Sequence, residues 1–205
     1  YFGIKSALNK NSFFDKFTGQ LSLLSFAMPS FYLALLGVLI FAINFEILPI
    51  AGLHSVPNDG SLNYYLDYAW HLVLPIFIIV FGGIGSLILY IRGLTIEILK
   101  SDYIFFAKAR GLTSKQILRY YILPNLYPPV ITLLGLSLPG IIGGSVILET
   151  IFSIDGMGLL FYQSALSHDY PVIMGILIIG AFLTLIGNMI ADLVLLKLNP
   201  NYEEK

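Results

Sequence analysis

Four stretches of the chain contain no Asp, Glu, Lys or Arg: 17–45, 68–91, 120–148 and 170–191. Each is longer than the roughly 20 residues a helix needs to cross the hydrocarbon core of a bilayer. The pattern predicts membrane helices over about 21–45, 68–91, 126–148 and 171–196, in one domain covering 1–205. Pro29 interrupts the first near its start and predicts a kink, because its ring removes a backbone hydrogen bond. Trp70 and His71 open the second, where amphipathic rings prefer the membrane interface. The third is rich in small and breaking residues, Gly135, Pro139, Gly140, Gly143 and Gly144. Gly140 and Gly144 have the small-xxx-small spacing that lets helix backbones approach closely.

The polar intervals differ sharply from one another. Residues 46–67 and 149–169 hold no Lys or Arg, and the former clusters the turn formers Pro49, Gly52, Pro57 and Asn58-Asp59-Gly60. The interval 92–125 instead carries six of the eleven basic residues: Arg92, Lys100, Lys108, Arg110, Lys115 and Arg119. It predicts two short helices. Ser101 or Asp102 caps the first and Gly111 suits its left-handed end. Thr113 and Gln116 form a capping-box pattern for the second, which Pro124 ends or bends.

Composition agrees with an all-α, polytopic membrane protein: 57% of residues are hydrophobic and 11% charged, about half the charged share of a soluble domain. Four such helices in 205 residues leave too little polar surface for a soluble fold. Every basic residue falls on one side of a four-helix weave, so the positive-inside bias puts 92–125 and both ends in the cytoplasm. A net charge of −1 favours no nucleic acid, and the absence of cysteine excludes disulfides and thiolate metal sites. Tyr1-Phe2-Gly3-Ile4 reads as the tail of an earlier membrane helix, with an N-terminal portion missing.

Candidate chemistry is sparse. Glu149, beside Thr150, lies at the membrane edge of the third helix; it either lines a translocation path with Gly140 and Gly144, or pairs within the protein. Asp192 lies near the end of the fourth, partnered by a neighbouring helix or by interfacial water. Asp155 and Asp169 read as solvated loop residues. His54, His71 and His168 are scattered without metal spacing, no Gly-x-Ser-x-Gly is present, and no phosphate loop ends in Gly-Lys-Ser/Thr. No cofactor, metal or catalytic residue is expected, and no ATP binding by this chain. The structured basic loop has two open readings: a docking site for another protein, or a helix lying on anionic lipid with Lys108, Arg110 and Lys115 facing phosphates.

Residues 105–124 resemble the cytoplasmic loop of permeases from binding-protein-dependent ABC importers. That loop reads Glu-Ala-Ala, then Gly after three residues, then Ile-x-Leu-Pro after nine more. Here the positions hold Phe105-Phe106-Ala107, Gly111 and Tyr121-Ile122-Leu123-Pro124. Ala107, Gly111, Leu123 and Pro124 match, whereas Phe105, Phe106 and Tyr121 depart. Pro29-Ser-Phe31, Leu48-Pro-Ile-Ala-Gly52, Ala107-Lys-Ala-Arg-Gly-Leu112, Leu133-Leu-Gly135, Gly143-Gly144, Glu149-Thr-Ile-Phe152, Gly156-x-Gly158 and Asp169-Tyr-Pro171 resemble the dipeptide/oligopeptide/nickel permease family, while Asn199-Pro200-Asn201 departs from its Asp-Pro-Arg. The resemblance covers essentially the whole chain.

It implies a type I importer permease-like helical bundle, usually of six spans, in a bacterial or archaeal cell membrane. It implies a non-enzymatic subunit that imports peptides or a nickel or other metal complex. The implied partners are a second permease subunit, two cytoplasmic ATP-binding subunits and an extracytoplasmic substrate-binding protein. Its ATPase-coupling residues would be Phe105, Phe106, Ala107, Lys108, Arg110, Gly111, Leu112, Leu123 and Pro124, with Phe105 and Phe106 as apolar anchors. Two rivals stand beside it: an ion-coupled secondary transporter using Glu149 or Asp192, and a membrane scaffold without transport.

Overall fold

The computed structural model describes residues 1–198, and within them every side chain except those at 138, 139 and 141–143. Lys205 and the Asn199-Pro200-Asn201 departure lie outside the described residues. The order is α1 (Phe2–Leu8), α2 (Phe13–Ala27), α3 (Ser30–Gly37) running into a π-helical segment (Val38–Asn44), α4 (Leu62–Leu99), α5 (Asp102–Ala109) and α6 (Ser114–Ile117). A second π-helical segment (Leu118–Ile122) leads into α7 (Leu123–Gly143), followed by α8 (Val146–Ile151), α9 (Met157–Leu166) and α10 (Tyr170–Leu198). Among the described residues there is no strand.

Two helices, α4 and α10, are each long and apolar enough to cross a membrane, and α2 with Ser30–Asn44 passes the same test as a bent pair. The kink expected in one helix over 21–45 is therefore a full break: the two arms meet at 99° across Met28 and Pro29. Pro29 is extended, with ψ 139°, which no helix interior tolerates. The helix expected at 68–91 runs further at both ends, to Leu62 and Leu99, so Arg92 belongs to α4 and not to a loop. The third expected helix starts at Leu123 and stops early, because Gly144 takes φ +62° and breaks the run to 148. Pro124 does not end a helix either. It opens α7 behind the π-helical turn, where the widened ladder accommodates a missing N–H donor.

Packing divides the chain into two compact units. Among the described residues, one comprises 1–23, 86–140 and 181–198; the other comprises 24–85 and 141–180. The first is centred on Ile104, Ala107, Ile117, Ile122 and Leu126, joined by Ile4, Ile91, Leu94 and Ile98. The second is centred on Leu33, Ala34, Leu74, Ile78, Leu148 and Phe152.

Helix α2 is inverted relative to a soluble helix. Asp15, Thr18, Ser22 and Ser25, spaced three or four apart, are buried, while Phe13, Phe17, Leu21 and Leu24 are exposed. Such a helix suits lipid, where apolar side chains face outward; within its buried stripe Ser25 donates to the carbonyl of Phe81, while the Ser22 hydroxyl has no hydrogen-bond partner among the described residues. The close backbone approach expected at Gly140 is absent, since a side chain there would meet open space. It occurs instead at Gly135, where a Cβ would lie 2.7 Å from Ala191 Cβ and 2.8 Å from the Gly187 carbonyl of α10. The small-xxx-small pair that matters is thus Gly187 and Ala191. Gly135→Val is expected to force α7 and α10 apart at a cost of about 1–3 kcal/mol. A denaturant titration in detergent micelles checks this, and an unshifted midpoint would contradict the contact.

Candidate functional site

The basic interval folds into a mounted helix. Ser101 stands at the N-cap of α5, but its hydroxyl donates back to the Ile98 carbonyl at 2.6 Å and so joins α5 to the end of α4. At the other end, Gly111 N–H donates to the Lys108 carbonyl at 2.9 Å and Leu112 N–H to the Ala107 carbonyl at 3.2 Å. With Gly111 at φ +80°, this is a Schellman closure, and Leu112 packs on the core that holds Ala107. Thr113 then caps α6 with a reciprocal box: its hydroxyl accepts from Gln116 N–H at 3.3 Å, and Thr113 N–H donates to Gln116 Oε1 at 2.8 Å. No atom stands within 4 Å of a Cβ built on Gly111. Conformation, and not a close contact within this chain, is what requires glycine there.

The eight residues of α5 sort into two faces. Ile104 and Ala107 are 0% and 2% exposed, whereas Phe105 and Phe106 are 69% and 61% exposed, with rings edge-on at 5.8 Å. Lys108 and Arg110 are exposed on the same short element, Leu112 and Leu123 are partly buried, and Pro124 is exposed. Two large aromatic rings are thus held out beside basic groups by a helix whose other face is locked in a core. Tyr121 stacks on Tyr103 at 6.2 Å and steadies the return into α7.

Glu149 lies elsewhere, in the other unit. Its carboxylate is buried and accepts from Ser145 N–H at 3.1 Å and from Leu159 N–H at 2.5 Å, near the start of α9. Helix N-termini hold such charge well, because their first N–H groups lack partners. Gly144 and Gly156 form the cradle: a Cβ on either would fall on the carboxylate. Glu149 therefore braces α8 against α9, and Phe152 of the same turn accepts from Gly52 N–H at 2.7 Å. Gly140 is exposed, and Gly144 lies beside Glu149 and not on a helix face. Asp155, Asp169 and Asp192 are exposed, and Val172 N–H donates to Asp169 at 3.3 Å at the start of α10.

Sequence reading missed two constellations. His71 accepts from or donates to Ser55 Oγ at 3.1 Å through Nε2, and its Nδ1 meets the Asp67 carbonyl at 2.8 Å. Asp67 takes the N–H groups of Ser55 and Val56 at 2.5 and 3.3 Å. Together these bonds tie 55–56 to α4. The i, i+4 spacing of Asp67 and His71 was their one visible sign. The second is Asp15, whose two carboxylate oxygens accept from Nε and Nη2 of Arg92 at 2.7 and 2.8 Å. Its sign was Ser12-x-x-Asp15, a helix-start pattern in which Asp15 N–H donates to Ser12 Oγ at 3.1 Å. Among the described residues, no group of three or more His, Asp or Glu is placed to hold a metal ion.

Residues 1–204 match the family described as binding-protein-dependent transport system inner membrane component. The chain is similar to the oligopeptide transport system permease protein AppB of Bacillus subtilis, 35% identical over 202 residues, covering 98% of this chain and 63% of the relative. It is similar to OppB, an oligopeptide permease protein of Haemophilus influenzae, at 36% over 198 residues, 97% of this chain and 61% of the relative. It is likewise 34% identical over 198 residues to the dipeptide permease protein DppB of B. subtilis, covering 97% of this chain and 60% of that one. The chain thus spans about three fifths of the length of these relatives.

Glu149→Gln keeps the shape of the side chain but turns an NH2 group toward N–H donors, at an expected cost of about 1–3 kcal/mol. Hydrogen exchange over 145–166 reads this directly. Unchanged protection of Ser145 and Leu159 amides would rule out the brace.

Proposed function

The chain belongs to the family of binding-protein-dependent transport inner membrane components, and from that premise we propose that it is a membrane-spanning permease subunit of an ATP-driven peptide importer. The observation that carries the reading is α5, with Ile104 and Ala107 locked in a core and Phe105 and Phe106 held outside it. Exposed aromatic rings on a rigid mount suit a groove on a partner protein, as binding hot spots do.

In this reading the partner at α5 is a cytoplasmic ATP-binding subunit, present twice in the assembly. A second, similar permease subunit completes the path, and an extracytoplasmic binding protein delivers cargo. Residues 92–125 and both chain ends face the cytoplasm, and α7 supplies a further span beside α4, α10 and the bent pair of α2 with Ser30–Asn44. ATP binding draws the two ATPases together and tilts the helices through α5, opening the path outward; hydrolysis resets it. The ligand acts by its different affinity for the two states. Phe105, Phe106, Lys108 and Arg110 make the contact, whereas Ala107, Gly111, Leu112, Leu123 and Pro124 hold it in place. The relatives are named for oligopeptides and dipeptides, which favours a peptide cargo over a nickel complex. An ion-coupled transporter is not favoured, because the Glu149 carboxylate is already engaged by N–H groups of its own chain.

Gly111→Leu places a side chain at φ +80°, at a cost of about 1–2 kcal/mol, in space that no neighbouring group of this chain fills. Reconstituted vesicles carrying it should hydrolyse ATP without accumulating labelled peptide; normal uptake would count against docking through α5. Impermeant labelling of single-cysteine variants should reach 55–65 from outside and 100–120 only from inside. Labelling of both from one face would overturn the orientation.

A further inference from the structure

The α1–α2 elbow and the end of α4 are joined by a charge knot whose carboxylate is buried and whose guanidinium is partly exposed. The Asp15 carboxylate is 5% exposed. It accepts from Arg92 Nε at 2.7 Å, Arg92 Nη2 at 2.8 Å, the Asn11 N–H at 2.9 Å and the hydroxyl of Ser6. Two parallel guanidinium donors on two carboxylate oxygens fix angle as well as distance, which a lysine cannot do.

The backbone of α1 lies against the same turn of α4. A Cβ on Gly3 would come within 2.7 Å of the Ile88 carbonyl and 3.1 Å of Arg92 N. Ile4, the next residue, packs on the core beneath α5 together with Ile91, Leu94 and Ile98 of α4. From Arg92, therefore, less than two helical turns of α4 lead to the Ile98 carbonyl that receives Ser101. The elbow, the end of α4 and the mount of α5 form one packed body, pinned by a single two-pronged ion pair.

Burial makes such a pair a poor source of stability, since apolar residues of similar volume often serve as well. What the fork adds is direction. We propose that Asp15 and Arg92 are positioning residues of the coupling apparatus, and that their ion pair passes movement of α5 into α1 and α2. The inference rests on the reading of α5 as the docking helix. Neither residue lies on the exposed aromatic face, so removing the pair leaves docking in place and loosens what docking moves.

The test uses the complete transporter in vesicles, permease with its partner subunits, carrying R92K, D15N or the exchange D15R with R92D. Three quantities are read: ATPase subunits retained on purification, ATP hydrolysed, and labelled peptide accumulated. R92K keeps the charge and removes the fork, so it is the variant least disturbing to folding. R92K and D15N should retain the ATPase subunits and their hydrolysis, while peptide moved per ATP falls at least about threefold, within the range by which residues along a coupling route alter coupling. The exchange should recover part of that ratio. An unchanged ratio in R92K and D15N, with subunits retained, overturns this inference alone, as does uptake lost only in proportion to folded complex. If ATPase subunits fail to copurify with the unsubstituted permease, the docking reading falls and this inference with it.

Discussion

A helix of eight residues has no stability of its own in water, so α5 exists because Ile104 and Ala107 are buried. That burial is the constraint on which the basic interval depends. Ile104 and Ala107, three residues apart, face Ile117, Ile122 and Leu126, and the residues between them must then point away. Phe105 and Phe106 are exposed by the same geometry that hides their neighbours. The Schellman closure at Gly111 and the box at Thr113 turn the chain back so that α6 and the start of α7 can complete the core they share with α5.

The lipid-facing parts obey a different economy. Apolar side chains gain little from facing one another when lipid is equally apolar. Helices are instead held by hydroxyls, by close backbone approach and by charges with complete partners. Ser25 of α2 shows the first, bonded to the Phe81 carbonyl, and α7 with α10 shows the second where Gly135 meets Gly187 and Ala191. Asp15 with Arg92 and Glu149 with its N–H cradle show the third, one charge paired and one held by backbone.

Much of this was legible beforehand because its signals are local. The charge-free stretches located α4 and α10, and Gly111, Thr113 and Gln116 marked the two turns of the basic interval, since capping chemistry acts within a few residues. What escaped depends on neighbours distant in sequence. Arg92 read as a loop cation because its partner, Asp15, is 77 residues away. Gly140 and Gly144 have the spacing of a packing motif, yet only tertiary contact distinguishes them from Gly187 and Ala191. Pro29 announced an interruption, but a proline alone does not state whether a helix bends or breaks by 99°.

The alternation along α5 offers the most direct test of the central claim. A photoreactive amino acid is placed singly at 105, 106 or 107 and activated in intact cells expressing the whole transporter. Positions 105 and 106 should capture an ATP-binding subunit, while 107, only 2% exposed, should react within its own chain. Capture from all three positions alike, or from none, would contradict the account.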